Sequence, residues 1–563
     1  MYGWVELALL LLILTFCTPR LGGYMAAVFE GKPNPARAIL GPLEALVYRS
    51  CGIDPAVEMG WTTYLRALVT FTAVSTLVLF GLLLVQQSLP LNPEHAPNMS
   101  PLLALNVAIS FATTTNWQPY SGETALGYLA QMAGLAWQNF VAAAAGLAVA
   151  IAAIRGFTRS SGTTLGNFWC DLTRALIYVF LPLSIVGALL FVWQGTPQNF
   201  APYVHARTLE GAQQTITGGP IASQEIIKQL GVNGGGFVAA NSASPNENPT
   251  PLTDFIQMLA MLAIGAGLTN TFGRLVGDER QGWMLFGVMA ALFVAGFAVV
   301  WGAEHAGNPL IHQLGAAGPN LEGKETRFGD TSSALSVTVA TDTSSGASNV
   351  AYDSLMPLSV LIAMINMQVG EVIFGGVGSG LYGILLLAVL TVFVAGLMVG
   401  RSPEYLGKKI ERREITIVVL AALVAPLTML IPTAIALLPG LSAIGNAGPR
   451  ALSEILYAFT SVSANNGSVM AGLGIQTGFY NAATAIVMLL GRFGTLILTL
   501  ALAGGLVRKP RNRQTGGTFS TATPLFGILL AASALIVTAL TFLPADALGP
   551  IAEALLLAHG KSF

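Results

Sequence analysis

Ten stretches of about twenty or more predominantly apolar residues, each long enough to cross a bilayer, limit this chain more than any other feature. They fall at roughly 3–27, 62–86, 127–153, 172–194, 253–273, 282–302, 378–400, 415–438, 480–506 and 524–543. A backbone inside hydrocarbon must satisfy its own polar groups, so stretches of this length are helices. Only 9% of the 563 residues are charged and the mean hydropathy is +0.67, which places the whole chain, and not one anchor, in the membrane class. The net charge of −1 gives no electrostatic reason to expect a nucleic-acid partner. Cys17, Cys51 and Cys170 are odd in number and far apart, and read as small buried hydrophobes rather than a disulfide or metal framework. The segment 1–16 has no cationic start, its first charge being Glu6, and is expected to be a retained first span.

The cations between spans set the orientation. Arg20, Lys32, Arg37 and Arg49 follow the first span, Arg155, Arg159 and Arg174 the third, and Arg274 and Arg280 the fifth. Arg401, Lys408, Lys409, Arg412 and Arg413 follow the seventh, and Arg508, Lys509, Arg511 and Arg513 the ninth. The alternate loops carry the sparser set Arg207, Lys228, Lys324, Arg327, Arg450 and Lys561. The positive-inside rule makes the first group cytoplasmic and puts both termini outside. The run 401–414, RSPEYLGKKIERRE, alternates in sign and is expected to begin as a solvated helix, serving as a topology anchor or as a docking surface.

Four external loops hold a helix candidate too short to span, at about 99–112, 221–231, 352–366 and 450–462. Each is followed at once by a polar loop: Thr113-Thr-Thr-Asn-Trp-Gln118, Gly231-Val-Asn-Gly-Gly-Gly-Phe237, Asn366-Met-Gln-Val-Gly370 and Ala464-Asn-Asn-Gly-Ser468. The expected fold is therefore all-α, with ten transmembrane helices and four pseudo-repeated span–pore helix–filter loop–span units around one ion pathway. The units are drawn at 61–160, 161–276, 277–405 and 406–513, flanked by an N-terminal span and loop, 1–60, and a C-terminal span, 514–563. The external stretches 200–220 and 318–350, rich in Gly, Ser, Thr and Asn, read as loops without chemistry of their own.

The loop chemistry suits a dehydrated monovalent cation, whose water shell neutral oxygens can replace, as rings of carbonyls do for potassium. Thr113, Thr114, Thr115, Asn116 and Gln118 supply oxygens in the first loop, Asn233 in the second, Gln368 in the third, and Asn465, Asn466 and Ser468 in the fourth. Gly234, Gly235, Gly236, Gly370 and Gly467 permit the positive φ that aims carbonyls toward one point. Glu123, Glu247 and Glu371 stand nearby, either as capping and interface residues or as a negative vestibule. Arg492 lies mid-span in Leu489-Leu-Gly-Arg-Phe-Gly494 and must face protein or water, as a structural partner for carbonyls or as a positive barrier below the filter. Gly375-Gly-Val-Gly-Ser-Gly380 opens the seventh span where a helix is weak, and suggests a broken helix or mobile gate.

Two motif matches carry nothing. Gly378-Ser-Gly380-Leu-Tyr-Gly383 spells GxGxxG without a preceding strand, and Gly318 to Lys324 spells GxxxxGK with Glu325 in place of Ser or Thr. With no phosphorylation sequence, HExxH or nucleophile elbow, the chain is expected to bind no nucleotide and to hydrolyse nothing by itself.

TTTNWQPYSGE, VNGGGF followed by NSASPNENPTPLTDF, NMQVGEVIFGGVGSGLYG and SANNGS, in this order, resemble the KdpA family, the potassium-binding subunits of the bacterial Kdp-type potassium-transporting ATPase. The resemblance covers essentially the whole chain. It implies a multi-pass protein of the bacterial inner membrane that selects K+ from the periplasm, and partners in a P-type ATPase subunit, KdpB, with KdpC and KdpF. It also implies an intramembrane tunnel from this chain to the ATPase subunit. The filter it implies spans Thr113 to Gln118, Val232 to Phe237, Met367 to Gly370 and Asn465 to Ser468, adding Val232 and Met367 to the residues above, with Arg492 beneath. A stand-alone potassium channel or symporter of the same architecture is the alternative. A membrane-embedded enzyme would need a polar catalytic cluster, and the filter loops are the polar feature the sequence offers at membrane depth.

Overall fold

The computed structural model describes residues 2–512 and 519–561, which leaves Arg513 of the last basic group outside the described residues. The elements that matter are α1 (Tyr2–Phe29), α2 (Trp61–Val85), α3 (Pro101–Ala112), α4 (Ala130–Thr158), α5 (Phe168–Trp193), α6 (Ile221–Leu230), α7 (Pro251–Val276) and α8 (Glu279–Ala306). They continue as α9 (Gly329–Asp342), α10 (Pro357–Gln368), α11 (Ser379–Met398), α12 (Arg412–Ala436), α13 (Gly448–Ser463), α14 (Gly478–Leu506) and α15 (Pro524–Asp546). Ten helices among the described residues are long and apolar enough to cross a membrane, and they coincide with the ten expected segments.

Their burial differs according to composition. α4 reads AAAAGLAVAIAAI through its middle and is 89% buried, whereas α2 and α12 are 17% buried and keep their branched apolar side chains outward. Small residues let neighbouring backbones approach α4 closely, the usual basis of packing between membrane helices. A Cβ on Gly146 would stand 2.4 Å from the Val377 carbonyl oxygen, and one on Gly156 would stand 2.6 Å from the Ala503 Cβ. α4 is thus the central post, and α1 lies along α7 at one side of the bundle.

The short buried helices are α3, α6, α9 and α13, and one of these departs from expectation. The expected third half-helix at 352–366 is α10, which runs into the break before α11; the buried helix that ends in a polar loop is α9, inside the stretch read as featureless at 318–350. The reason is chemical. α9 reads GDTSSALSVTVATD, too polar for hydropathy to reveal, yet two of its hydroxyls are satisfied within the helix, Thr338 donating to Ala334 O at 2.9 Å and Thr341 to Val337 O at 2.8 Å, and Ser332 donates to Asp254 at 2.9 Å.

Between α5 and α6, 204–207 and 213–216 form a two-stranded antiparallel hairpin. The run 401–414 also differs from expectation, because it begins as a second hairpin pairing Glu404–Tyr405 with Lys408–Lys409. Leu406 and Gly407, with φ of 53° and 77°, make the tight turn that a helix would not permit. The helix starts only at Arg412, after Glu411 N donates to the Glu414 carboxylate at 3.0 Å in a capping box.

The hairpin drives Lys408 inward, where its ammonium donates to Leu506 O at 2.5 Å and to Arg159 O. These are carbonyls at the C-terminal ends of α14 and α4, Leu506 O accepting also from Lys509 N at 3.0 Å, so one cation ties two spans together. Burial first, then the nearby Arg511 and Lys509, pulls the Lys408 pKa down to about 8. Between this value and the normal lysine range the unfolded chain binds the proton more tightly, so stability rises with pH there. Lys408→Met is expected to lower the melting temperature at pH 7 by several degrees and to remove that rise, both measurable by thermal unfolding across pH 7 to 10 in detergent.

Candidate functional site

Each of α3, α6, α9 and α13 ends in the same backbone figure. The last helical bond is Thr113 N to Ile109 O at 2.9 Å, Gly231 N to Ile227 O at 2.9 Å, Thr343 N to Val339 O at 3.0 Å and Ala464 N to Thr460 O at 3.0 Å. Two residues later the chain reaches back five positions: Thr115 N to Ser110 O at 2.9 Å, Asn233 N to Lys228 O at 2.9 Å, Ser345 N to Ala340 O at 2.9 Å and Asn466 N to Ser461 O at 2.8 Å. Between and after these bonds lie residues of positive φ, namely Thr114 (64°) and Asn116 (52°), Val232 (52°) and Gly234 (90°), Ser344 (57°) and Gly346 (74°), and Asn465 (53°) and Gly467 (93°).

Positive φ at every second residue is the backbone pattern that lets successive carbonyls turn to one side, as a filter built from backbone oxygens needs. For the β-branched Thr114 and Val232 this conformation is strained, and strain of this kind is retained where function needs it.

The four loops meet in a closed ring. A Cβ added to Gly235 would lie 2.4 Å from Asn116 O, to Gly234 1.7 Å from Ser345 O, to Gly346 2.2 Å from Asn466 O, and to Gly467 2.0 Å from Thr115 O. Side chains pin neighbouring loops: Asn116 donates to Gly235 O at 3.0 Å, Gln118 to Gly236 O at 3.1 Å, Asn465 to Thr115 Oγ1 at 2.8 Å and Asn466 to Ala340 O at 2.9 Å. Thr113, Thr114, Thr115, Asn116, Val232, Asn233, Gly234, Gly235, Asn465 and Asn466 are buried in or against this ring, with Gln118 and Gly467 at its outer side.

The third loop is a correction. Met367, Gln368 and Gly370 are not in the ring; their place is taken by Thr343, Ser344, Ser345 and Gly346. Gln368 ends α10 and donates to Asp546 at 3.1 Å, while Met367 and Gly370 line a cavity beneath the ring. The missed signal is the spacing itself, since T-S-S-G ends in glycine at the position where V-N-G and N-N-G do. Buried oxygens without a hydrogen-bond partner among the described residues gather here, at Asn116 Oδ1, Asn233 Oδ1, Ser344 Oγ, Ser345 Oγ and both oxygens of Asp342. A buried polar atom left unpaired costs about 1–3 kcal/mol, so a cluster of them is a site suited to an external cation or to water.

The three carboxylates separate. Glu123 accepts from Ala239 N at 2.8 Å on the outer side. Glu247 is no vestibule residue, because it is buried in an ion pair with Lys228 at 2.7 Å. Glu371 lies under the ring, accepting from Ser379 Oγ at 2.5 Å, in the cavity it shares with Arg492, Tyr382, Gly370 and Asn465. Arg492 is 7% exposed on α14, and Gly146 of α4 makes room for it, since a Cβ there would stand 2.9 Å from its Nη2. The glycines of 375–380 are packed tightly: a Cβ on Gly378 would stand 2.2 Å from Gly146 O, so close approach requires glycine there. Outside the ring a cavity of about 490 Å3 is lined by Gln118, Gly346 and Gly467.

Comparison with known proteins gives a consistent picture. A family model described as "KdpA: Potassium-transporting ATPase A subunit" matches residues 8–555. The chain is 53% identical over 563 residues to the potassium-transporting ATPase potassium-binding subunit of Mesorhizobium japonicum, covering 100% of this chain and 99% of that protein. It is 52% identical over 563 residues to the subunit of the same description from Rhizobium rhizogenes, with the same coverage. Its fold is like that of the potassium transporter TrkH from Vibrio parahaemolyticus, with a TM-score of 0.52 at 16% identity over 88% of this chain and 98% of that one.

Proposed function

Because the chain belongs to the KdpA family of potassium-transporting ATPase A subunits, we propose that it is the potassium-binding, ion-selecting subunit of an ATP-driven uptake complex of the bacterial inner membrane. The observation that carries this reading is the fourfold recurrence of the left-handed loop figure in a closed ring. K+ enters from the periplasmic cavity and exchanges its water shell for neutral oxygens of Thr113–Asn116, Val232–Gly235, Thr343–Gly346 and Asn465–Gly467. Four helices end at the ring, and their negative dipole ends favour a cation there.

Arg492 then opposes straight passage to the cytoplasm. A lateral route is supported by a second cavity, of about 110 Å3, that shares Gly370, Ala425 and Thr495 with the one beneath the ring and continues to Leu386 and Phe542. Along it K+ would reach the P-type ATPase subunit, KdpB, in a complex with KdpC and KdpF. This chain hydrolyses nothing, and its two termini face the periplasm.

The test is K+ uptake in cells without other potassium systems. Growth at limiting potassium is expected only when the chain is produced with its ATPase partners. Uptake by the chain alone would instead make it a self-sufficient channel or symporter.

A further inference from the structure

The residues that accept the five-back bonds, Ser110, Lys228, Ala340 and Ser461, occupy one equivalent position behind the four loops. Two of them brace their own loop with a hydroxyl: Ser110 donates to Trp117 O at 3.1 Å, and Ser461 accepts from Gly467 N at 3.0 Å. Ala340 has no side chain to do so.

Lys228 is of another kind. Its side chain is 0% exposed and its ammonium lies 2.6 Å from Glu225 Oε2, 2.7 Å from Glu247 Oε2 and 2.6 Å from Asn241 Oδ1. A lysine has donors only, so Asn241 must offer its oxygen to Lys228 and turn its amide nitrogen the other way. That nitrogen donates to Gly234 O at 2.8 Å, and Gly234 is a ring residue. The second oxygen of Glu247 accepts from Val238 N at 2.7 Å, closing the clasp beyond the loop.

The glycine run is cut to this shape. Gly234 meets the third loop and Gly235 the first, while a Cβ on Gly236 would stand 2.4 Å from Lys228 Nζ and 2.7 Å from Glu247 Oε1.

We propose that Lys228, held between Glu225 and Glu247, is a positioning residue for ion selectivity: through Asn241 it fixes the Gly234 carbonyl and so the dimension of the ring on its second side. The inference rests on the ring being the potassium site. A carbonyl tied from behind cannot swing to follow an ion of different radius, and the ring therefore keeps one preferred size. The second loop receives by an ionic clasp what the first and fourth receive from a serine.

The test measures apparent affinities for K+ and Rb+ in the complete complex with its ATPase partners, using Asn241→Gly, Lys228→Met and, for the ring itself, Gly234→Ala. Asn241→Gly removes the amide without straining a position whose φ is 53°. It is expected to bring the two affinities closer by about fivefold, the worth of one hydrogen bond, with complex yield and melting temperature unchanged. Lys228→Met is expected to shift the ratio the same way; where it fails to accumulate, because two buried carboxylates lose their cation, Asn241→Gly decides. A merely structural role would lower yield or melting temperature and leave the ratio alone. If Gly234→Ala alters the ratio and Asn241→Gly does not, the clasp is overturned and the ring stands. If neither alters it, the ring reading itself fails.

Discussion

Gly234→Ala is expected to lower the apparent potassium affinity about a hundredfold and to weaken discrimination against Rb+. Gly234 has φ of 90°, and its added Cβ would fall 1.7 Å from Ser345 O and 2.9 Å from Asn466 O. Those are backbone atoms of two other loops, and no side-chain rotation relieves the overlap. A left-handed alanine costs about 1 kcal/mol or more and overpacking another 1–3 kcal/mol. Some 3 kcal/mol withdrawn from the bound state corresponds to about two decades in affinity.

Gly346→Ala, with its Cβ 2.2 Å from Asn466 O, is expected to behave alike and tests the corrected third loop. Gly370→Ser is the contrast. Gly370 also has positive φ, of 93°, but nothing lies within 4 Å of its Cβ, so discrimination between K+ and Rb+ should be retained. Concentration-dependent uptake of both ions settles the three together, and normal affinity in Gly234→Ala would remove the second loop from the site.

The second large effect is expected at Arg492. Arg492 lines the cavity beneath the ring together with Asn465 and Glu371. An ion passing within about 6 Å of a unit charge at an effective dielectric constant near 20 meets a barrier of roughly 3 kcal/mol. Arg492→Ala should therefore permit downhill K+ flux without ATP, on the order of a hundredfold above the intact complex, in proteoliposomes with an imposed gradient. Arg492→Lys keeps the charge and should remain tight. Wild-type tightness in the alanine variant would show that the barrier lies elsewhere.

The spans were readable because hydrophobic length is read directly by the bilayer, loop one because it follows an apolar helix, and loops two and four because Asn and Gly follow amphipathic ones. Loop three was not, and the cause lies in α9. Thr338 and Thr341, with Thr343 just past its end, hide their hydroxyls in hydrogen bonds to its carbonyls, so a buried helix looks like a polar linker, while the apolar α10 behind it looks like the missing element. The glutamates illustrate a different limit. Glu247 and Glu371 are near the loops in sequence, but which side of the ring each occupies depends on Lys228 and Ser379, and no local pattern encodes those partners. The 404–409 hairpin was obscured in the same way, since two residues of positive φ decided against a helix that the charge pattern favoured.

Asn465 reaches Thr115 across 350 positions of sequence. The ring therefore has no existence in a nascent chain: when the ribosome has delivered the first three loops, one wall is still unmade, and the site comes into being only when the fourth is inserted. With the ring as the proposed ion site, a truncated product would lack a finished coordination shell and, on that reading, neither capture ions selectively nor present a completed pathway to a partner. Chain completion is in this sense the first checkpoint on ion flow, earlier than any gate.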